Sequence, residues 1–267
     1  MKTKSILTTL LLLSLLTAKI FSQQADISKI LFEAKQTSDK ALLSYDAALF
    51  MESNAACERV LSVQPDNQFA TYLLAYNYYR MQTVSMKDND RSKVELYFNK
   101  AKECCDKLTN SEEYDSEAKT LLAAVYMMKL AINQSDAPAI SMTISSLLEQ
   151  ASFREFANPR TLLIRGIMAL NTPPVFGGSV DAAMEYFNKA EVIFQNSKSP
   201  DELKPNWGYL ETLAYKGQAL TKKGMVQEAK SAYNKVLEIE PNFGWVKYVL
   251  LPQLEKQVAE KESTTTK

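Results

Sequence analysis

The chain has no histidine anywhere in its 267 residues. That absence removes serine–histidine–aspartate triads, imidazole general bases and histidine metal ligands. Cysteine is nearly as scarce, with Cys57, Cys104 and Cys105 only. No C-x-x-C spacing exists among them, so neither a zinc site nor a thioredoxin-type site is suggested. Adjacent residues on a helix point about 100° apart, so a Cys104–Cys105 bridge would be strained. Cys57 could pair with one of them in an oxidising compartment, or all three could be small buried packing residues. Charge of one sign is also lacking: 31 Lys and Arg face 31 Asp and Glu. With no basic run, a nucleic-acid partner is not expected. No nucleophile–base or metal constellation appears, so neither an enzyme nor a cofactor is expected. Glycine is sparse at seven residues, and Gly177-Gly178 is its only doublet. Gly177-Gly178 precedes a helix start and could present backbone N–H groups to an anion. It lacks the spacing and lysine of a P-loop. The alternative is structural: in Thr172-Pro-Pro-Val-Phe-Gly-Gly-Ser179 the prolines end one helix, Phe176 tucks into the core, the glycines reverse the chain and Ser179 caps the next helix.

Residues 1–22 read as a secretory signal peptide: Lys2 and Lys4 precede an apolar run from Ile6 to Leu16, and Ser22 is a small residue at a plausible cleavage point. The run is too short for a stable bilayer anchor, although an N-terminal anchor is the alternative. No cysteine follows until Cys57, which argues against a lipoprotein. The expected mature chain begins at Gln23, carries no membrane span and is periplasmic or secreted. Removing Lys2, Lys4 and Lys19 leaves it slightly acidic. Residues 23–259 are expected to form one folded domain, and the polar, Thr-rich 260–267 a disordered tail.

Apolar residues recur at spacings of three and four, with no hairpin turns between alternating apolar residues, so the chain reads as helix throughout. The expected helices are 26–44, 47–63, 67–83, 91–108, 112–133, 137–152, 159–171, 180–196, 206–223, 226–239 and 243–258. Pro65, Pro138, Pro159, Pro173, Pro200 and Pro241 fall at or near the breaks, and Asp136 and Ser179 are suitable N-caps. One element occurs three times, as Tyr97-Phe98-Asn99-Lys100-Ala101, Tyr186-Phe187-Asn188-Lys189-Ala190 and Ala232-Tyr233-Asn234-Lys235-Val236. Preceding helices repeat too: Leu74-Ala75-x2-Tyr78, Leu122-Ala123-x2-Tyr126, Arg165-Gly166-x2-Ala169 and Lys216-Gly217-x2-Leu220.

Trp207 to Phe243 carries the fullest version. Leu213-x2-Lys216-Gly217-x2-Leu220, Gly224, Ala229-x3-Tyr233, Val236, Leu237, Ile239 and Pro241 fall in an order that resembles a tetratricopeptide repeat. Leu213 stands where the pattern prefers Trp, Lys216 where it prefers Leu and Leu220 where it prefers Tyr. Gly217 and Ala229 would let two helices approach closely, with Tyr233 and Leu220 filling the space between them. Gly224 suits the turn, and Pro241 ends the second helix. The resemblance covers most of residues 47–258 and is weakest in the first hairpin, 26–63, where only Val60, Leu61, Val63 and Pro65 echo it. It implies an all-α, right-handed α-solenoid of about five helical hairpins with a C-terminal capping helix. The turns at Val84–Asp90, Asn133–Asp136 and Thr172–Ser179 are longer than the one at Gly224 and would emerge on one edge.

In that family the first helix of each hairpin lines a concave groove. The resemblance therefore makes Phe69, Tyr72, Tyr76, Tyr79 and Arg80 groove-facing, with Thr120, Met127, Leu163, Ile167, Tyr215 and Gln218 continuing the surface. The alternative is burial of these aromatics against the degenerate first hairpin. Asn133-Gln-Ser135 fits a glycosylation acceptor, discounted because the signal looks bacterial, and Glu112-Glu113 reads as solvated helix-start charge. The expected function is an exported scaffold holding a peptide or protein partner in the groove. The other expectation is a periplasmic small-molecule or lipid-type binding protein, serving a transporter, if the groove closes into a pocket. N-terminal sequencing of the exported protein should begin near Gln23; a membrane-held chain beginning at Met1 would refute the signal assignment.

Overall fold

The computed structural model describes residues 26–197 and 201–265, so the signal assignment at 1–22 lies outside the described residues. Helix α1 covers 26–44. It is followed by α2 (Ala47–Val63), α3 (Gln68–Lys87), α4 (Arg91–Leu108), α5 (Asp115–Ile132), α6 (Ala137–Arg154), α7 (Pro159–Asn171), α8 (Val180–Asn196), α9 (Tyr209–Lys222), α10 (Val226–Ile239) and α11 (Leu251–Thr265). No strand occurs among the described residues. The helices pair in order as hairpins, and α3, α5, α7 and α9 touch in succession to form the inner layer of a solenoid.

Side-chain caps set many of the helix starts. Asp46 accepts from the Ala48 N–H, Asn67 from Ala70, Asp90 from Lys93, Asn158 from Arg160 and Thr161, and Ser179 from Ala182. Each answers a donor that the first helical turn leaves unpaired. Asp136 holds the N-cap position of α6 without a capping bond; its carboxylate accepts from the Asn133 amide instead. Helix α3 runs on to Lys87, so the expected long turn from Val84 shrinks to Asp88–Asp90, with Asn89 in the left-handed region at φ 56°. The expected final helix divides into a π-helical turn at Val246–Leu250 and α11, which continues to Thr265 past the predicted boundary at 259. The Lys256–Glu260 pair lies one turn apart across that boundary.

The repeated motif corresponds to a repeated joint. A Cβ on Gly217 would stand 2.3 Å from the Tyr233 ring, and one on Gly166 2.4 Å from the Phe187 ring. Glycine on the first helix thus admits a large aromatic from the second. In the hairpins where alanine replaces glycine, Ala75 and Ala123 are fully buried at the same positions. The first hairpin attaches differently. Asn77 of α3 accepts from the Ser38 hydroxyl and donates to Ser53 and Asn54, while Ser53 donates to the Ala34 carbonyl. This buried, fully partnered cluster pins α1 and α2 to α3 with polar side chains where the repeat motif is absent.

The α7–α8 turn corrects another expectation. Phe176 is 78% exposed, not in the core. Pro174–Phe176 form a 3₁₀ turn closed by Phe176 and Gly177 N–H groups on the Pro173 and Pro174 carbonyls, and Ser179 N–H returns to the Ala169 carbonyl. Gly178 is pressed onto the Thr172 carbonyl, where no Cβ fits. The short closure leaves the Phe176 ring at the tip. Cys57, Cys104 and Cys105 are free and buried, and burial pushes the Cys57 thiol up to about 12.

The solenoid closes on itself. Leu43, at the end of α1, packs against the last apolar cluster with Phe243, Val246 and Leu250, and its carbonyl lies against Gly244. Gly217→Ala should lower the melting temperature, because overpacking of about 1–3 kcal/mol exceeds the gain in helix propensity of about 1 kcal/mol. A raised melting temperature in thermal denaturation would show that the Gly217–Tyr233 joint is not tight.

Candidate functional site

Residues 201–208, the connector that leads into α9, lie across the inner face of the solenoid. The last of these residues deliver Trp207 onto α3. The Trp207 indole N–H donates to the Tyr72 hydroxyl at 2.7 Å, and its ring lies 5.7 Å from that of Tyr76. Tyr72 donates onward to Glu117 of α5 at 3.3 Å, and Tyr114 reaches the Leu203 carbonyl of the connector at 3.4 Å. Arg160 and Asn158, at the start of α7, also donate to Glu117. One carboxylate therefore ties three inner helices and the connector together.

This arrangement corrects the expected open groove. Tyr72, Tyr76, Tyr79 and Phe69 are 2%, 4%, 8% and 8% exposed. Trp207 and residues 204–206 of the connector lie against Tyr72 and Tyr76 on one side, and Lys35, Ser38 and Asp39 of α1 border the same crevice, so the first hairpin shares in their burial. Burial pushes the hydroxyls of Tyr72, Tyr76 and Tyr79 up, which keeps them neutral.

Below Trp207 lies a second buried ion pair. Arg80 of α3 donates to one oxygen of Glu211 in the first turn of α9, and the Gly208 N–H donates to the other at 3.2 Å. Gly208 sits at φ 111°, a conformation open to glycine and strained for other residues. The Arg80 guanidinium packs 4.9 Å from the Tyr76 ring, 5.0 Å from Tyr79 and 5.8 Å from Trp207. Cation–π attraction of this kind offsets part of the cost of burying the charge. The Arg80 Nε–H is buried and has no protein partner.

Beside this pair the concave face retains a cavity of about 540 Å³ that is open to solvent on one side. Leu42 and Leu43 of α1, Tyr45 of the following turn, Tyr79, Arg80 and Thr83 of α3, Leu163, Ile164 and Ile167 of α7, Glu211 and Tyr215 of α9 and the turn around Trp245 supply its wall. Trp207 forms its roof. Aromatic and aliphatic side chains dominate, and Arg80, Lys87 and Glu211 are the charged residues of the lining. Burial pushes the Tyr45 hydroxyl up to about 12.

Of the sequence-predicted residues, Tyr79, Arg80, Leu163, Ile167 and Tyr215 meet in this cavity. Phe69, Tyr72 and Tyr76 instead border a crevice on the far side of Trp207. Thr120 is fully buried and shares a 2.6 Å hydrogen bond with Thr161. Met127 packs half-buried against the core, and Gln218 is half-buried with its amide nitrogen unpartnered in the protein. Neither lines the cavity. A wider, polar cleft of about 930 Å³ opens beyond the connector, between α1 and the N-terminal ends of α5, α7 and α9.

Trp207, Glu211, Tyr45 and Trp245 escaped the sequence reading. Trp207 and Trp245 are the chain's only tryptophans, a signal worth heeding. Nothing in the local pattern says that the connector folds inward, or that the two ends of the solenoid meet.

A family model described as tetratricopeptide repeat matches residues 210–243. No curated protein matches the chain. Among solved structures, the HusA haemophore from Porphyromonas gingivalis is similar with a TM-score of 0.55 and 19% identity, over 74% of this chain and 93% of that one. TTC0263, a thermophilic TPR protein in Thermus thermophilus, is similar with a TM-score of 0.54 and 17% identity, over 85% of this chain and 97% of that one. At such identities the likeness is one of fold.

The burial of the two inner tyrosines is directly testable. Changing Tyr72 and Tyr76 together to Ala should cost several kcal/mol, at about 3–5 for each large buried aromatic. Urea denaturation should show a lower midpoint at unchanged slope. A double variant as stable as the wild type would mean that these rings are solvated and the concave face open.

Proposed function

From the premise that this is a tetratricopeptide-repeat-type protein, we propose that it acts by binding, not by catalysis, and that its ligand is a small, largely apolar molecule held in the cavity beneath Trp207. The observation that carries this is that part of the concave face is covered, which leaves a pocket in place of a continuous groove. A peptide groove needs an open inner surface, whereas here Trp207 covers Tyr72 and Tyr76 and the ends of the solenoid meet at Leu43 and Gly244. What remains is a cavity of about 540 Å³, within the range of about 300–1,000 Å³ common for small-molecule sites. Its lining of Tyr79, Tyr215, Trp207 and Trp245 rings with Leu163 and Ile167 suits a flat or elongated apolar body. The similarly folded HusA is named a haemophore. That name supports trying planar cargo first, although the absence of histidine leaves no imidazole here for a haem iron. Export to the periplasm or beyond, by the signal at 1–22, is part of the same proposal.

A second reading has its own support. The tetratricopeptide fold suggests a protein-interaction scaffold. The cleft of about 930 Å³ has more acids than bases in its lining: Glu155 and Glu202 stand with Asp39 and Glu113, which pair with Lys35 and Lys204, beside Phe32 and Phe194. A basic peptide segment would suit that cleft better than the cavity under Trp207.

Both tryptophans line the cavity, so intrinsic fluorescence reports on it. Titration with metal-free protoporphyrin and with phenylnaphthylamine should give saturable quenching by at least one of them. Thr83→Phe, which projects a ring into the space, should weaken it about tenfold or more, the equivalent of losing one good apolar contact surface. Quenching by neither compound would remove the small-ligand reading and leave the peptide reading standing.

A further inference from the structure

We infer that the ligand of this cavity carries an uncharged oxygen acceptor, a carbonyl group, which tyrosine hydroxyls of the wall receive; this rests on the small-ligand reading above. The first observation is a set of open donors. Tyr45, Tyr79 and Tyr215 line the cavity from three separate segments, the turn after α1, α3 and α9. None of their hydroxyls has a hydrogen-bond partner among the described residues, and none is shut off as the Arg80 Nε–H is, so an acceptor in the cavity can reach them. The Trp245 indole N–H, which can only donate, is open in the same way. Other polar groups of the lining are engaged. Ser44 donates to the Lys40 carbonyl and Thr83 to the Tyr79 carbonyl. Glu211 accepts from Arg80 at one oxygen and from the Gly208 N–H at the other. An oxygen acceptor suits all four open groups, whereas a donor would leave the indole unanswered.

The second observation is where these hydroxyls meet and how they are held. Burial pushes all three up, Tyr45 to about 12, so each keeps its proton at neutral pH. The charges of Arg80 and Glu211 act on all three, and Tyr45 and Tyr79 act on Tyr215, so the hydroxyls gather around one ion pair. Tyr45 is held there at a backbone cost. It stands at φ 54° where α1 ends, with the Asp46 N–H returned to the Ala41 carbonyl at 3.1 Å. Glycine or asparagine is usual at such a helix end, and a bulky residue is an outlier. The charges select the kind of acceptor. Arg80 is matched by Glu211, and Lys87 is exposed to water. A carbonyl leaves that pair undisturbed, whereas a carboxylate would set a second negative charge beside Glu211 in a largely apolar wall.

Acetylnaphthalene, isopropenylnaphthalene and naphthoate share one aromatic body. The first two differ only by a C=O against a C=CH₂ group, and the third is charged. Each is titrated into the whole chain at neutral pH and followed by calorimetry. A wall without open donors would favour the alkene, which gives up no hydrogen bond to water. The wild type should instead bind the ketone about tenfold more tightly than the alkene, the effect of one or two buried hydrogen bonds, and more tightly than naphthoate. Tyr45→Phe, Tyr79→Phe and Tyr215→Phe each remove an oxygen that holds nothing else in the protein, so the single variants should fold. At least one of them should reduce the ketone's preference severalfold, and the three combined should abolish it. Equal or tighter binding of the alkene by the wild type would overturn the carbonyl and leave the cavity reading intact. Tightest binding of naphthoate would overturn the uncharged acceptor. Full retention of the preference in every variant would place the carbonyl elsewhere and overturn the inference as well. Binding of none of the three compounds would remove the cavity reading and this inference together.

Discussion

The contact between Arg80 and Glu211 joins residues 131 positions apart and decides what kind of solenoid this is. A stack of helical hairpins needs only neighbour contacts, and each hairpin touches the next. Nothing in that rule brings the second hairpin to the last. The Arg80–Glu211 pair and the Trp207–Tyr72 hydrogen bond do so across the concave face. Such buried charges bring little net stability, because desolvation consumes most of the attraction. Their role is geometric: Glu211 fits only where Arg80 and the Gly208 N–H both reach it. The pair thereby fixes how far the solenoid curls.

Closure covers part of the inner face and leaves the rest as a pocket open to solvent. The inner helices α3, α5, α7 and α9 present aromatic and aliphatic side chains that an open solenoid would leave to solvent or a partner. Here they are shared between a covered zone under the connector and the cavity below it. The order of assembly follows from chain separation. Hairpin contacts are local and cost little loop entropy, whereas the ring closure at Leu43 and Gly244 spans nearly the whole chain. We expect closure to be the last and weakest step, formed on repeats already in place.

Much of this was legible, for reasons that differ by element. Helix boundaries at Ala47–Val63, Arg91–Leu108, Pro159–Asn171 and Val180–Asn196 coincide with the sequence reading because caps and prolines punctuate them. The Gly217–Tyr233 and Gly166–Phe187 joints were readable because a repeat states the same requirement more than once. Tyr79, Arg80, Leu163, Ile167 and Tyr215 share one wall of the inner face, since repeat position fixes which side of a helix faces inward. What lies opposite that face was not legible. Trp207 belongs to the connector, whose path has no period, and its partner Tyr72 is 135 residues away. Phe176 was misplaced for a related reason: a tight turn between two helices can close with its apolar residue outside.

The composition of the cavity wall argues about purpose. A wall selected for stability alone would not keep a buried arginine with an unpartnered donor. Apolar residues of similar volume in place of a buried ion pair are often neutral or stabilising by about 1–4 kcal/mol. The pocket of about 540 Å³ leaves the aromatic faces of two tryptophans and several tyrosines toward solvent, apolar surface whose covering is favourable at roughly 25 cal/mol per Å². Each cost is tolerable alone, and both fall at one place. A bound molecule that fills the pocket would cover that apolar surface. Its binding would then also stabilise the closed ring, since Arg80, Trp207 and the turn around Trp245 come from separate segments of the chain and share the same wall.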